Sequence, residues 1–136
     1  MTVNTLLGRI NQHQYLRELR NKLLHLHRML LDTERINYEQ VHGRVSTNRL
    51  FQLVISDEQF AWLHKISELV VQIDETLSSD QPISLEDVQN LIANARSLIV
   101  PSEVGNEFAR KYYAALQSDP SVVLAHAVVS ELLAIK

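Results

Sequence analysis

The sequence predicts an all-α fold: a helical bundle of five to six helices, four long ones forming its core, opened by a long N-terminal helix. Three observations predict it. Apolar residues recur at a helical period along the whole chain, with no run of strict alternation and no internal repeat. Only 3 Gly and 3 Pro occur in 136 residues, too few turn-formers for the hairpins of a β-sandwich. Helix-capping residues stand where the apolar periods begin. The length suits a single helical-bundle domain over residues 1–136, and 46% hydrophobic with 21% charged residues is a globular composition.

The first helix carries Leu16, Leu19, Leu23, Leu26, Leu30 and Val41 on one stripe at 100° per residue. Glu18 and Lys22 pair one turn apart on its polar side. Gly43 is its C-terminal stop. Asn4 is a candidate N-cap, and an unbroken helix from there to His42 would be roughly 60 Å long. A compact domain of this size has a radius of gyration of about 14 Å. The helix therefore either breaks near Asn11 to Gln14, or residues 1–13 project or form a separate short helix. A projecting end bearing Leu6, Leu7 and Ile10 needs a cover, and a second copy of the chain is the simplest one.

Ser46 caps a short helix to Ile55 with Leu50, Phe51 and Val54 facing inward. Ser56 or Asp57 caps a third helix running to about Ser78, its core stripe being Trp62, Leu63, Ile66, Leu69, Val70, Ile73 and Leu77. Ser78 to Pro82 is a loop. Ser84, with Asp87 three residues on, opens a helix with Leu85, Val88, Leu91, Ile92, Ala95 and Ile99 inside, ended by Pro101. Ser102 is expected to cap the next helix, holding Val104, Phe108, Tyr112 and Ala115. Asp119–Pro120 starts the last one. The four walls are the helices near 14–42, 57–78, 84–100 and 120–135.

Against this pattern four polar residues stand out. His27, Glu34, Asn37 and Tyr38 fall within about 60° of the apolar stripe of the first helix. A buried carboxylate needs a partner, and Arg49, Arg96, His27 and Tyr38 are the candidates for Glu34. The favoured reading is a polar network that fixes helix register, or a stripe that leaves the core near residue 33. The functional reading is an interhelical pocket binding a metal or a small molecule, with these four residues as its ligand-binding set. Glu39 and His42 form a single Glu-x-x-His, the ligand motif of di-iron bundles, but Glu39 points away from the stripe. His25 and His27 are two apart and do not share a helix face. His64 and Glu68 read as a surface pair, Asp74 as half of a helix-to-helix ion pair with a basic group on a neighbouring helix such as Arg96, and His126 as a hydrogen-bonded residue at the core's edge. Tyr112 belongs inside and Tyr113 outside.

Several chemistries are excluded. The chain has no Cys, hence no disulfide, thiolate metal site or Cys nucleophile. Gly8, Gly43 and Gly105 are isolated, so there is no phosphate loop. Neither Gly-x-Ser-x-Gly nor His-Glu-x-x-His occurs, no catalytic residue is assigned and no cofactor is implied. Residues 1–49 hold 8 basic and 4 acidic side chains, while residues 50–136 hold 5 and 12. Such opposed charge favours docking of the first helix on the rest over binding of nucleic acid, since nucleic-acid domains are strongly basic overall. The longest apolar stretch, Val122 to Val129, is 8 residues against the ~20 a membrane span needs. No targeting segment is visible near Met1, and a cytoplasmic protein is expected.

The stretches Phe60-Ala-Trp-Leu-His-Lys-Ile-Ser-Glu-Leu-Val-Val-Gln-Ile-Asp-Glu75 and Ser118-Asp-Pro-Ser-Val-Val-Leu-Ala-His126 resemble a group of small, all-helical bacterial proteins without an assigned function. The likeness runs from about Leu23 onward. It implies a bacterial cytosolic setting, says nothing about chemistry, and carries over no site residue. The functional expectation is a non-enzymatic bundle acting through protein–protein contacts as a homodimer. The alternative is a small-molecule or metal-binding bundle, with an enzyme as its extreme case.

Overall fold

A computed structural model describes the backbone of residues 2–134 and the side chains of residues 11–134. Six α-helices and no strand occur among the described residues. α1 (Thr2–His42) is one helix of 41 residues, continuous through Asn11–Gln14. α2 (Thr47–Ser56) follows, then a 3-10 helix (Glu58–Leu63) leading straight into α3 (His64–Ser78). α4 (Leu85–Leu98), α5 (Glu107–Ser118) and α6 (Pro120–Ala134) complete the bundle. The side chains of Leu6, Leu7 and Ile10, expected to seek a cover, lie outside the described residues.

α1 organises the rest. Leu16, Leu19, Leu23, Leu26 and Leu30 alternate steps of three and four residues, the spacing of a coiled-coil seam, and none reaches solvent. α3 and α6 pack on this seam. Both run antiparallel to α1, because their contacts descend as α1 ascends. Arg20 pairs with Asp74, His27 meets Ser67, and Glu34 meets Trp62 on the α3 side. Tyr15 donates to the Leu132 carbonyl and Thr33 to Asp119 on the α6 side. At 100° per residue the first three lie about 60° to one side of the leucine seam and the last two about 60° to the other. Each edge of α1 thus carries polar groups that fix the register of one neighbour. α4 packs on α3, and its Arg96 donates to the Leu133 carbonyl at the end of α6. α5 packs on α6 and sets Phe108 edge-on to Trp62, centroids 5.3 Å apart.

Local signals explain the boundaries. Ser46, Ser84 and Asn106 cap α2, α4 and α5 through the amides of Arg49, Asp87 and Ala109. Asp57 caps the 3-10 helix through Gln59, so the third predicted helix begins as a tighter turn. α1 ends at Gly43, whose φ of 83° is the left-handed conformation glycine adopts without cost. Its amide bonds back to the Glu39 carbonyl at 2.8 Å. A Cβ there would touch nothing within 4 Å. Gly43→Ala should therefore lose about 1–2 kcal/mol from backbone conformation alone. Chemical denaturation checks this, and an unchanged midpoint would rule out a strained position.

Four apolar expectations are corrected. Val41 is 79% exposed because α1 outruns its neighbours: Glu34 already faces the start of the α3 segment, and Thr33 the start of α6. Phe51 is exposed because α2 turns Leu53 inward, with Leu50 and Val54 at the edge, and Phe51 lies about 160° from Leu53. Leu85 sits on the first turn of α4, and Ile83 just before it is buried instead. Val104 is exposed because α5 starts at Glu107 under the Asn106 cap, and Ser102 caps only a turn through the Val104 amide. That turn folds tightly over α5: a Cβ on Gly105 would stand 3.0 Å from that of Ala109.

Candidate functional site

Glu34 stands on the α3 edge of α1, two turns after His27 and four after Arg20. Only 8% of it is exposed. Its Oε2 accepts from Trp62 Nε1 at 2.6 Å and its Oε1 from Gln59 Nε2 at 3.1 Å. The 3-10 helix brings both donors to one place, because its tight turn places Gln59 and Trp62 three residues apart on one side. Both donors are neutral. None of the four cationic or phenolic groups expected beside Glu34 is its hydrogen-bond partner among the described residues. Arg96 goes to Leu133, and Tyr38 lies against His42 and Phe60.

Glu34 also lines a groove of about 270 Å³ between α1, α5 and the 3-10 helix. Thr33, Asn37, Trp62, Lys111 and Ser118 line it too. Glu34 and Asn37 therefore share one hollow. His27 does not belong to it. Its Nε2 lies 3.3 Å from Ser67 Oγ, in a half-buried contact with α3. Tyr38 is buried and stacks on His42 at 4.1 Å. Seven residues of helix separate His27 from Glu34, about 10 Å along the axis, so a shared face does not become a shared cavity.

The other polar expectations resolve as structural contacts. Asp74 pairs with Arg20, not Arg96, because α3 runs antiparallel along α1 and meets it at that level. His64 donates Nε2 to the Val54 carbonyl at 2.8 Å, tying α3 to the end of α2 instead of to Glu68. Glu39 accepts from the Val45 amide at 3.0 Å and from Arg35. The Val45 amide, helped by Arg35 and Arg44, holds its carboxyl below the usual range. His42 donates to the Tyr38 carbonyl at 3.2 Å. The Glu-x-x-His pair therefore finishes α1. Among the described residues no three His, Asp or Glu side chains converge as a metal site.

A half-buried hydrogen-bonded row joins α5 to α6. The Tyr112 hydroxyl lies 2.6 Å from His126 Nδ1, and His126 Nε2 lies 3.3 Å from Ser130. Burial pushes the Tyr112 hydroxyl well above its usual ionisation range, so it keeps its proton and donates to Nδ1. Burial likewise holds His126 below the usual histidine value, and His27 too, with His64 nearby adding to the effect. The sign follows. The unfolded chain takes up protons first as pH falls through about 6.5, so both residues make the fold less stable below that pH. The urea midpoint should fall between about pH 7.5 and pH 5. His126→Gln should flatten part of that fall, and an equal slope in both proteins would contradict it.

A larger hollow of about 650 Å³ lies on the α4 side of Trp62, lined among others by Lys65, Asn94, Ser97, Asn106 and Phe108. Its charged side chains, Lys65 and Glu107, are exposed, and no buried ionisable group faces it. The Glu34 groove is the more chemically committed of the two. Among the described residues no helix is long and apolar enough to cross a membrane. No family model, curated protein or solved structure matches the chain.

Proposed function

We propose that this chain is a cytoplasmic, self-associating interaction module that acts through protein contacts and docks on a second copy through the outer face of α6. The supporting observation is the composition of that helix. Pro120–Ala134 contains one charged residue, Glu131. Its inner face, Val122, Ala125, Val129 and Leu133, is buried. Its outer face is largely apolar, with Leu124 70% exposed, Val123, Ala127 and Val128 beside it, and Glu131 one to two turns on. An outer face this rich in apolar side chains is matched to a covering surface.

A second copy suits this face better than an unrelated partner does. Leu124, Ala127 and Glu131 recur at helical contact spacing. An antiparallel twofold pairing centred between Leu124 and Ala127 sets each leucine against the partner's Ala127, large against small. It also brings each Glu131 to the first turn of the opposing helix, where the helix dipole favours an anion. Self-complementarity of this kind is what an isologous interface requires. The Cys-free composition agrees with a reducing compartment.

Sedimentation equilibrium of the full chain tests the reading. Twice the 15.6 kDa chain mass is expected. Leu124→Glu should give the monomer mass with unchanged helical circular dichroism. A wild-type monomer, or a Leu124→Glu dimer, would overturn it.

A further inference from the structure

The Glu34 groove supports a second assignment that stands or falls separately from the α6 interface. Glu34 takes part in no ion pair among the described residues: its hydrogen-bond partners Gln59 and Trp62 are neutral, and the ion pairs present all lie elsewhere. Acids this buried are ordinarily paired with a positive charge, because desolvating an anion is costly. A carboxylate has about four lone-pair sites, and Gln59 and Trp62 fill two. At the α5 wall stands Lys111, partly exposed, its ammonium in a loose 3.8 Å contact with Glu107 one turn away. An exposed pair of that length contributes little. The groove therefore holds, in its depth, an acid bonded only to neutral donors and, at its rim, a loosely paired cation.

We propose that this groove binds a small zwitterion, a molecule of the amino-acid class. Its ammonium group sits against the Glu34 carboxylate, on the lone-pair positions that Gln59 and Trp62 leave open. Its carboxylate reaches Lys111. Asn37 and Ser118 supply further hydrogen-bonding groups. The volume of about 270 Å³ corresponds to roughly nine waters at ~30 Å³ each, room for a molecule of a few carbons. A purely cationic ligand would be repelled by Lys111, and a purely anionic one by Glu34.

Trp62 is the chain's single tryptophan, so its fluorescence reports on the site directly. The probes are glycine, β-alanine and γ-aminobutyrate, which set amine and carboxylate at increasing separations, with butylamine and butyrate as half-ligands. At least one zwitterion should shift the emission saturably, butylamine should bind about tenfold more weakly or worse, and butyrate should give no saturation. Lys111→Met, a change at the rim that leaves the core intact, should weaken the zwitterion to the level of butylamine. Glu34→Gln should abolish the response if it folds. Flat titrations with all three zwitterions would overturn the proposal, as would equal responses to both half-ligands. Tighter zwitterion binding in Lys111→Met would also overturn it, by showing that Lys111 competes for Glu34 instead of holding the ligand.

Discussion

Truncating Leu26 to alanine is expected to destabilise the bundle by about 2–5 kcal/mol, the range for deleting a fully buried leucine. Leu26 is wholly buried, near the middle of the seam where α3 and α6 both rest on α1. The loss combines apolar surface no longer removed from water with a cavity that three helices cannot close together. A domain is stable by only about 5–15 kcal/mol, so much of the margin is at stake. The melting temperature should fall by about 10 °C. Val41→Ala is the matched control. Val41 has the same helical phase as the leucines but is 79% exposed, and it should change stability by less than about 0.5 kcal/mol. Urea denaturation of both variants decides the point. Equal effects would mean that the seam continues to the end of α1.

The second large effect lies at Glu34 and Trp62. Trp62→Phe keeps most of the aromatic packing against Phe108 and removes the indole donor. It leaves a buried carboxylate with Gln59 alone, and should cost about 1–3 kcal/mol. Glu34→Leu leaves the indole N–H buried without an acceptor, at similar cost. The double variant replaces both ends by apolar groups, so its loss should fall short of the sum of the single losses by about 0.5–3 kcal/mol. Strict additivity in a double-mutant cycle would show that the 2.6 Å contact carries no stability of its own.

Much of this architecture was legible before any coordinates. The leucines of α1, the cap at Ser84 and the Asp119–Pro120 start are local signals, and local physics determines them. What failed depended on neighbours. Phe51 faces outward against its expected phase because the ten residues of α2 give too short a period to fix a face. α5 starts at Glu107 and not after Ser102, because a serine that caps a helix and one that caps a single turn look alike in sequence. The helix-to-helix ion pair expected of Asp74 is present, with Arg20 in place of Arg96 as its partner, and Arg20, His27 and Glu34 recur every seven residues along one edge of α1. That heptad of polar groups, read backward along α3, identifies Arg20 as the partner of Asp74. At the candidate site the unusual position of Glu34 was visible, while its donors were not, because they come from a 3-10 turn that helical periodicity does not describe. His27, Asn37 and Tyr38 share its face of α1, yet only Asn37 shares its groove.

The α6 surface is tested most directly by NMR on an equal mixture of ¹³C-labelled and unlabelled protein, which reports contacts between copies without altering any side chain. Isotope-filtered cross-peaks between copies are expected from the methyl groups of Val123, Leu124, Ala127 and Val128. Their absence, or cross-peaks confined to other exposed apolar residues such as Phe51 and Ile55 of α2, would contradict an interface on α6.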